Sequence, residues 1–164
     1  LKTGFFRLTE EDRPALAQHL LRLDAADRRL RFFHPADDAQ ILRFVGSLEM
    51  GQLCGYFLLG QLVASATVMP DAQHTVEFSV TVDQPLRGQG IATELLDYGI
   101  ETADEDADLL VIHHLVENRA MAGVHRKLPS TRQLGYGEVD VVIDLKALRQ
   151  ERQKALGLLC GAKD

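Results

Sequence analysis

The stretch Val82-Asp83-Gln84-Pro85-Leu86-Arg87-Gly88-Gln89-Gly90-Ile91-Ala92 joins two segments of different periodicity. Ahead of it, Thr75 to Val82 alternates and is rich in β-branched residues, which reads as a strand. Behind it, Ile91, Leu95, Leu96, Gly99, Ile100 and Ala103 recur at helical spacing, with polar residues between them. The loop therefore delivers a strand into the start of a helix, where unpaired N–H groups and the positive helix end converge on one spot. Gly88 and Gly90 carry no Cβ, so an anion can approach the backbone closely. Such a loop is a cradle for phosphate or pyrophosphate, or else a plain tight turn.

Two common phosphate loops do not fit. The P-loop ends in Gly-Lys-Ser/Thr, and no lysine is present here. The dinucleotide fingerprint lacks its third glycine, with Thr93 in that place, and antiparallel-type strands precede the loop. Arg87-Gly88-Gln89-Gly90-Ile91-Ala92 does satisfy Arg/Gln-x-x-Gly-x-Gly/Ala, with Val82 shortly ahead. This run closely resembles the acetyl-CoA-binding motif of the GNAT N-acetyltransferase superfamily. Asn118-Arg119-Ala120-Met121, followed by Lys127-Leu128, is similar to a second stretch of the same family. Together with Leu30-Arg31-Phe32-Phe33 and Glu77-Phe78, these motifs look most like bacterial GNAT domains of the protein-lysine-acetyltransferase type.

The chain has 164 residues, enough for one domain with a real core, and residues 1–164 are taken as that single domain. Apolar residues make up 46% and charged residues 26%, an ordinary globular balance. The sequence contains no apolar run long enough to span a membrane, and Leu1-Lys2-Thr3-Gly4 lacks the apolar centre of a signal peptide. Cys54 and Cys160 show neither metal spacing nor a disulfide framework, so a reducing cytoplasm and no metal are expected. A net charge of −6 argues against nucleic acid as a partner and suits a cationic acceptor.

Taken in order, Gly4 to Leu8 reads as a strand and Thr9 to Pro14 as helix-start chemistry, with Leu16, Leu20 and Leu23 on one apolar face. A second helix starts at Asp24 and carries Arg28, Arg29 and Arg31, which either reach a substrate or form a solvated face with Phe32 and Phe33 in the core. Asp38 to Leu48 reads as a further short helix. Cys54–Leu59 and Leu62–Met69 form a hairpin about Gly60-Gln61. Asp108 to Val116 is a buried strand, Asn118 to Leu128 a helix, and Val139 to Leu145 a last strand. The fold class is therefore α/β in an α+β layering: a mixed, mostly antiparallel GNAT-like sheet flanked by helices. Residues 146–164 form a peripheral helical tail, a candidate interface for a homodimer.

Acetyl transfer to an amine needs help with a proton, because a lysine with pKa near ~10.4 is about 0.1% neutral at neutral pH. Glu77, out of phase with Phe78, Val80 and Val82, is the candidate general base; against helices it would be partly desolvated, on a bare sheet face merely a surface glutamate. His125 stands where many members of the family carry a thiolate-protonating tyrosine, and an imidazole can do that work or serve as a base. His113 and His114 point to opposite faces of their strand, one toward the core and the other toward the cleft border.

The resemblance further implies that the backbone of Val80, Thr81 and Val82 pairs with the pantetheine arm. The N–H groups of Arg87, Gly88, Gln89, Gly90, Ile91 and Ala92 would hold the pyrophosphate, with Thr93 adding a hydroxyl and Asn118 a contact to the pantetheine or adenosine side. The sequence departs from the family at Gln84, where proline is usual, and at Pro129-Ser130-Thr131, where Gly-Phe is usual. The implied activity is direct transfer of the acetyl group of acetyl-CoA to a primary amine, a protein lysine or a small amine. A non-catalytic acyl-CoA-binding regulatory module on the same fold is the alternative.

Overall fold

The computed structural model describes residues 1–161, so positions 162–164 of the expected tail lie outside the described residues. Seven strands form one sheet in the order β1-β2-β3-β4-β5-β7-β6. They are β1 (Gly4–Arg7), β2 (Leu53–Leu58), β3 (Gln61–Pro70), β4 (Thr75–Val82), β5 (Leu109–Leu115), β6 (Thr131–Gly135) and β7 (Glu138–Asp144). Only β4 and β5 run parallel; every other pair is antiparallel. Among the described residues, six α-helices cover the sheet: α1 (Arg13–Leu21), α2 (Ala25–Phe32), α3 (Asp38–Ser47), α4 (Ile91–Thr102), α5 (Arg119–His125) and α6 (Leu145–Gly161).

Each face of the sheet has its own core, as the strand period of two demands. Leu16, Leu20, Ile41, Val45, Phe57 and Leu62 fill one layer under α1 and α3. Phe78, Leu95, Ile100, Ile112, Val141 and Leu148 fill the other, under α4 to α6. Helix α4 lies close to the strands because Gly99 faces them: a Cβ there would sit 3.0 Å from Val68 Cγ2 and 3.3 Å from the Phe78 ring. On β4, Val76 and Phe78 are buried against this helix, whereas Glu77, Ser79 and Thr81 project to the opposite face.

The parallel pair matters most for function. Strands β4 and β5 are in register only at Thr75–Leu109, Val76–Leu110 and Glu77–Val111. Both continue beyond that point, β4 to Val82 and β5 to Leu115, without pairing to each other. A wedge opens between them, leaving one edge of Ser79–Val82 without a neighbouring strand.

Three details differ from the sequence expectations. The first hairpin turns at Leu59 (φ 50°) and Gly60 (φ 87°), one residue earlier than read. After α5, which ends at His125, a strand absent from the reading appears: β6 returns through Tyr136 (φ 47°) and Gly137 (φ 82°) to β7. Its five residues are all exposed, so they carry no alternation to read. Phe33 is not in the core; it ends α2 in the left-handed conformation, φ 65°, and remains 38% exposed.

Helix α6 is peripheral beyond its start. Leu145 and Leu148 are buried, and the Arg149 guanidinium donates to the carbonyls of Ala103 and Ala107 beyond the end of α4. Farther on, Leu156, Leu158 and Leu159 are exposed. Among the described residues, no helix is long and apolar enough to cross a membrane.

Candidate active site

The loop after β4 makes a tight turn, with Leu86 N–H donating to Asp83 O (3.0 Å) and Arg87 N–H to Gln84 O (3.3 Å). Among the described residues, no backbone N–H from Gly88 to Thr93 finds a protein acceptor; the first to do so is Glu94, which donates to Gly90 O at 3.0 Å. Gly88 (φ 75°) and Gly90 (φ 84°) hold left-handed conformations that favour glycine, and a Cβ added to either would project into open space. The head of α4 thus presents a row of free donors with nothing before them, which suits an anionic phosphate chain. Arg87 braces this turn rather than facing the opening: Nε donates to Val82 O (3.0 Å) and a terminal nitrogen to Asp27 Oδ2 of α2 (2.7 Å).

A cavity of about 370 Å³ runs from this cradle into the wedge. Gly88, Gly90, Ile91, Ala92, Thr93 and the bracing Arg87 border it at the loop end. Val80, Thr81 and Val82 line it along β4, and Asn118 and Met121 on the far side. The Asn118 side chain accepts from Met121 N–H (3.1 Å), so it caps α5 as well as bordering the cavity. Gln89, of the expected cofactor residues, does not line the cavity.

His125 does not reach it either. The lining of α5 includes Val124, while His125, about a hundred degrees round the helix, is 1% exposed and outside that lining. There it meets His114, Nε2 to Nε2 at 3.2 Å. A carbonyl can only accept, so His114 Nδ1–H donates to Leu115 O (2.9 Å) and its Nε2 takes the proton of His125. His125 Nδ1 is then a buried acceptor without a partner. Burial, then the charge of Arg132 and the facing His114, push the His125 pKa down to about 4. The side chain expected to act as acid or base is thus enclosed against His114 and stands outside the cavity lining.

The other end of the cavity is polar. Glu77 is half-buried and lines it on the face under α1 and α2. Because Glu77 aligns with Val111, His113 two residues on projects to the same face, and it too lines the cavity. Its Nδ1–H donates to Asp140 Oδ1 across the β5–β7 ladder at 2.6 Å. Arg31 of α2 lines the cavity from above, its guanidinium 5.1 Å from the Phe32 ring centre and 5.2 Å from that of Phe44.

Beneath the cavity where Thr81 lines it, nearer the loop, lies a hydroxyl network that the sequence does not reveal. Thr81 Oγ1 bonds His19 Nε2 (2.8 Å) and Ser65 Oγ (3.2 Å), and His19 Nδ1–H donates to Asp83 Oδ1 (2.8 Å). Burial alone would raise the Asp83 carboxyl, but the hydrogen bonds from His19 and Arg22 outweigh it and hold it below the usual range. The effect is to pin the end of β4, and the loop it feeds, onto α1. Among the described residues, no three metal-ligating side chains cluster.

Comparison with known proteins gives a consistent pattern. The sequence profile of the acetyltransferase (GNAT) family matches residues 6–128. No curated protein matches the sequence. The fold resembles the GNAT domain of S. lividans PAT with a TM-score of 0.70 at 18% identity, covering 85% of this chain and 89% of that one. It resembles yncA, a putative acetyltransferase from Salmonella typhimurium solved with acetyl-CoA, with a TM-score of 0.67 at 17% identity, covering 88% and 95%. Diaminobutyrate acetyltransferase EctA from Paenibacillus lautus, in complex with L-2,4-diaminobutyric acid and coenzyme A, gives 0.62 at 16% identity, covering 88% and 96%.

Proposed function

Because the chain belongs to the acetyltransferase (GNAT) family, matched over residues 6–128, we propose that it transfers the acetyl group of acetyl-CoA to a primary amine at the Glu77 end of the cavity. The observation that carries this reading is the run of unpartnered N–H groups from Gly88 to Thr93 at one end of a cavity that has Glu77 at its other. The N–H groups of Gly88 to Thr93 would hold the pyrophosphate, and the free edge of Val80, Thr81 and Val82 would pair with the pantetheine arm as a strand does.

Acetyl-CoA supplies an acyl group already activated as a thioester. Glu77 takes the proton the acceptor ammonium must lose, directly or through water, so that a neutral amine nitrogen forms the bond to the acetyl carbon while the C–S bond breaks, and the coenzyme A thiolate leaves as the thiol with the second proton that the acetylated nitrogen sheds. Direct attack is favoured over an acyl-enzyme because Cys54 is buried on β2, where burial raises its pKa to about 12, and Cys160 lies on the exposed end of α6. Neither thiol lines the cavity. The acceptor is a protein lysine or a small amine. Work in the cytoplasm fits the two unpaired cysteines, and the exposed leucines of α6 are the surface we assign to self-association, which light scattering would check.

The test is a calorimetric titration with acetyl-CoA on the wild type and on Gly90→Glu, followed by an acetylation assay over an amine panel. Micromolar binding that Gly90→Glu abolishes is expected. No binding by the wild type would remove the basis of the proposal. Binding without turnover for any amine would favour a non-catalytic acyl-CoA-binding module, whereas Glu77→Gln acetylating as fast as the wild type would take the base role away from Glu77.

A further inference from the structure

The arginines of α2 have different fates. Arg28 donates to the carbonyls of Leu21, Leu23 and Ala36 and pairs with Asp38 at 2.8 Å. Arg29 pairs with Glu117 across the wedge. Arg31, among the described residues, has no hydrogen-bond or ion-pair partner; only the more distant charge of Glu77 acts on it. Yet it is the one of the three that lines the cavity.

A guanidinium has five N–H donors, and taking them out of water without acceptors is costly. Burial pushes the Arg31 pKa down to about 10 while Glu77 draws it back up, so the group stays charged at neutral pH. The rings of Phe32 and Phe44 fix where it sits, and a charge held against aromatic faces keeps its N–H edge available to a planar anion. Glu77 is not that anion, since no ion pair joins the two side chains. They share one cavity, an anion and a cation held apart.

A small zwitterion complements that arrangement, with its ammonium toward Glu77 and its carboxylate toward Arg31. We propose that Arg31 is a binding residue for the acceptor's carboxylate, so that the amine acetylated here is that of a free amino acid rather than a lysine within a protein. The inference rests on the acetyltransferase reading of the cavity and adds the acceptor class. A bidentate guanidinium–carboxylate pair would satisfy the Arg31 donors that the protein leaves empty. An internal protein lysine brings no such carboxylate next to its amine.

The experiment measures coenzyme A thiol release from acetyl-CoA with matched acceptors. The common α-amino acids, β-alanine and γ-aminobutyrate are each set against the amine left by removing the carboxylate, with Nα-acetyl-lysine methylamide standing for a protein lysine. At least one amino acid should be used with kcat/KM tenfold or more above its decarboxylated partner and above the lysine mimic. Arg31→Met should raise KM for that amino acid about tenfold or more, with acetyl-CoA binding unchanged by calorimetry, and Arg31→Lys should recover part of the loss. The calorimetric control shows that the variants fold.

Preference for the decarboxylated amines or the lysine mimic would overturn the inference while leaving the acetyltransferase reading intact. So would equal kinetics for Arg31→Met, or acetyl-CoA binding with no amino acid turned over. Failure of the wild type to bind acetyl-CoA would instead bring down both.

Discussion

Single residues decide whether the cavity binds and whether it reacts. Gly90 is needed twice, for a φ of 84° and for the open space its missing Cβ leaves, so Gly90→Glu both strains the turn and puts a carboxylate at the phosphate position we propose. Acetyl-CoA affinity should fall below detection in a calorimeter. Glu77→Gln keeps the shape and removes the base we propose: kcat should drop by about 10²–10⁴-fold while acetyl-CoA binds as before. A fall in affinity equal to the fall in rate would mean that Glu77 serves binding instead. Val124 and His125 show how fine the division is. Neighbours on a helix differ by about a hundred degrees in direction, enough to place one in the cavity and the other against His114.

Elements act through how closely they approach. Helix α4 must lie near the sheet for its N-terminus to meet the wedge, and Gly99 sets that distance. Gly99→Val would press branched carbons onto Val68 and Phe78, a cost of about 1–3 kcal/mol. Urea unfolding should show a lower midpoint at an unchanged slope; an unchanged midpoint would mean that the layer yields freely. Strand β4 carries both halves of the site because its edge is paired with β5 only as far as Glu77. Hydrophobic residues on one side of it hold the helix, and polar ones on the other face the acceptor end.

At the scale of the whole molecule, the buried histidine pair links stability to pH. The His125 pKa is about 4 folded against 6.5 for the free side chain, so between those values the unfolded chain binds more protons. Its contribution is complete above pH 6.5 and is lost progressively as the pH falls toward 4, on the order of 3 kcal/mol in all. Asp12 and Asp83 are held below 3.8, so their losses come at still lower pH. The Tm should therefore fall between pH 6.5 and 4, and less steeply in His125→Leu. An equal slope in that variant would place the acid sensitivity elsewhere.

The strand–loop–helix around Gly90 was legible because its signals are local: β-branched alternation, glycines without Cβ, and helical spacing lie within one short segment. The same holds for most elements. Strand β6 was not legible, since an exposed edge strand buries no face and so imposes no pattern. Nor was it legible which charged groups share the cavity with Glu77. Arg31 and His113 line it only because α2 crosses the wedge and β5 runs parallel to β4. The sequence by itself determined the element types, the cradle and the family, because backbone geometry is specified residue by residue. The tertiary structure alone decided which charges share the cavity and which histidine is shut away, because those contacts depend on how distant segments pack.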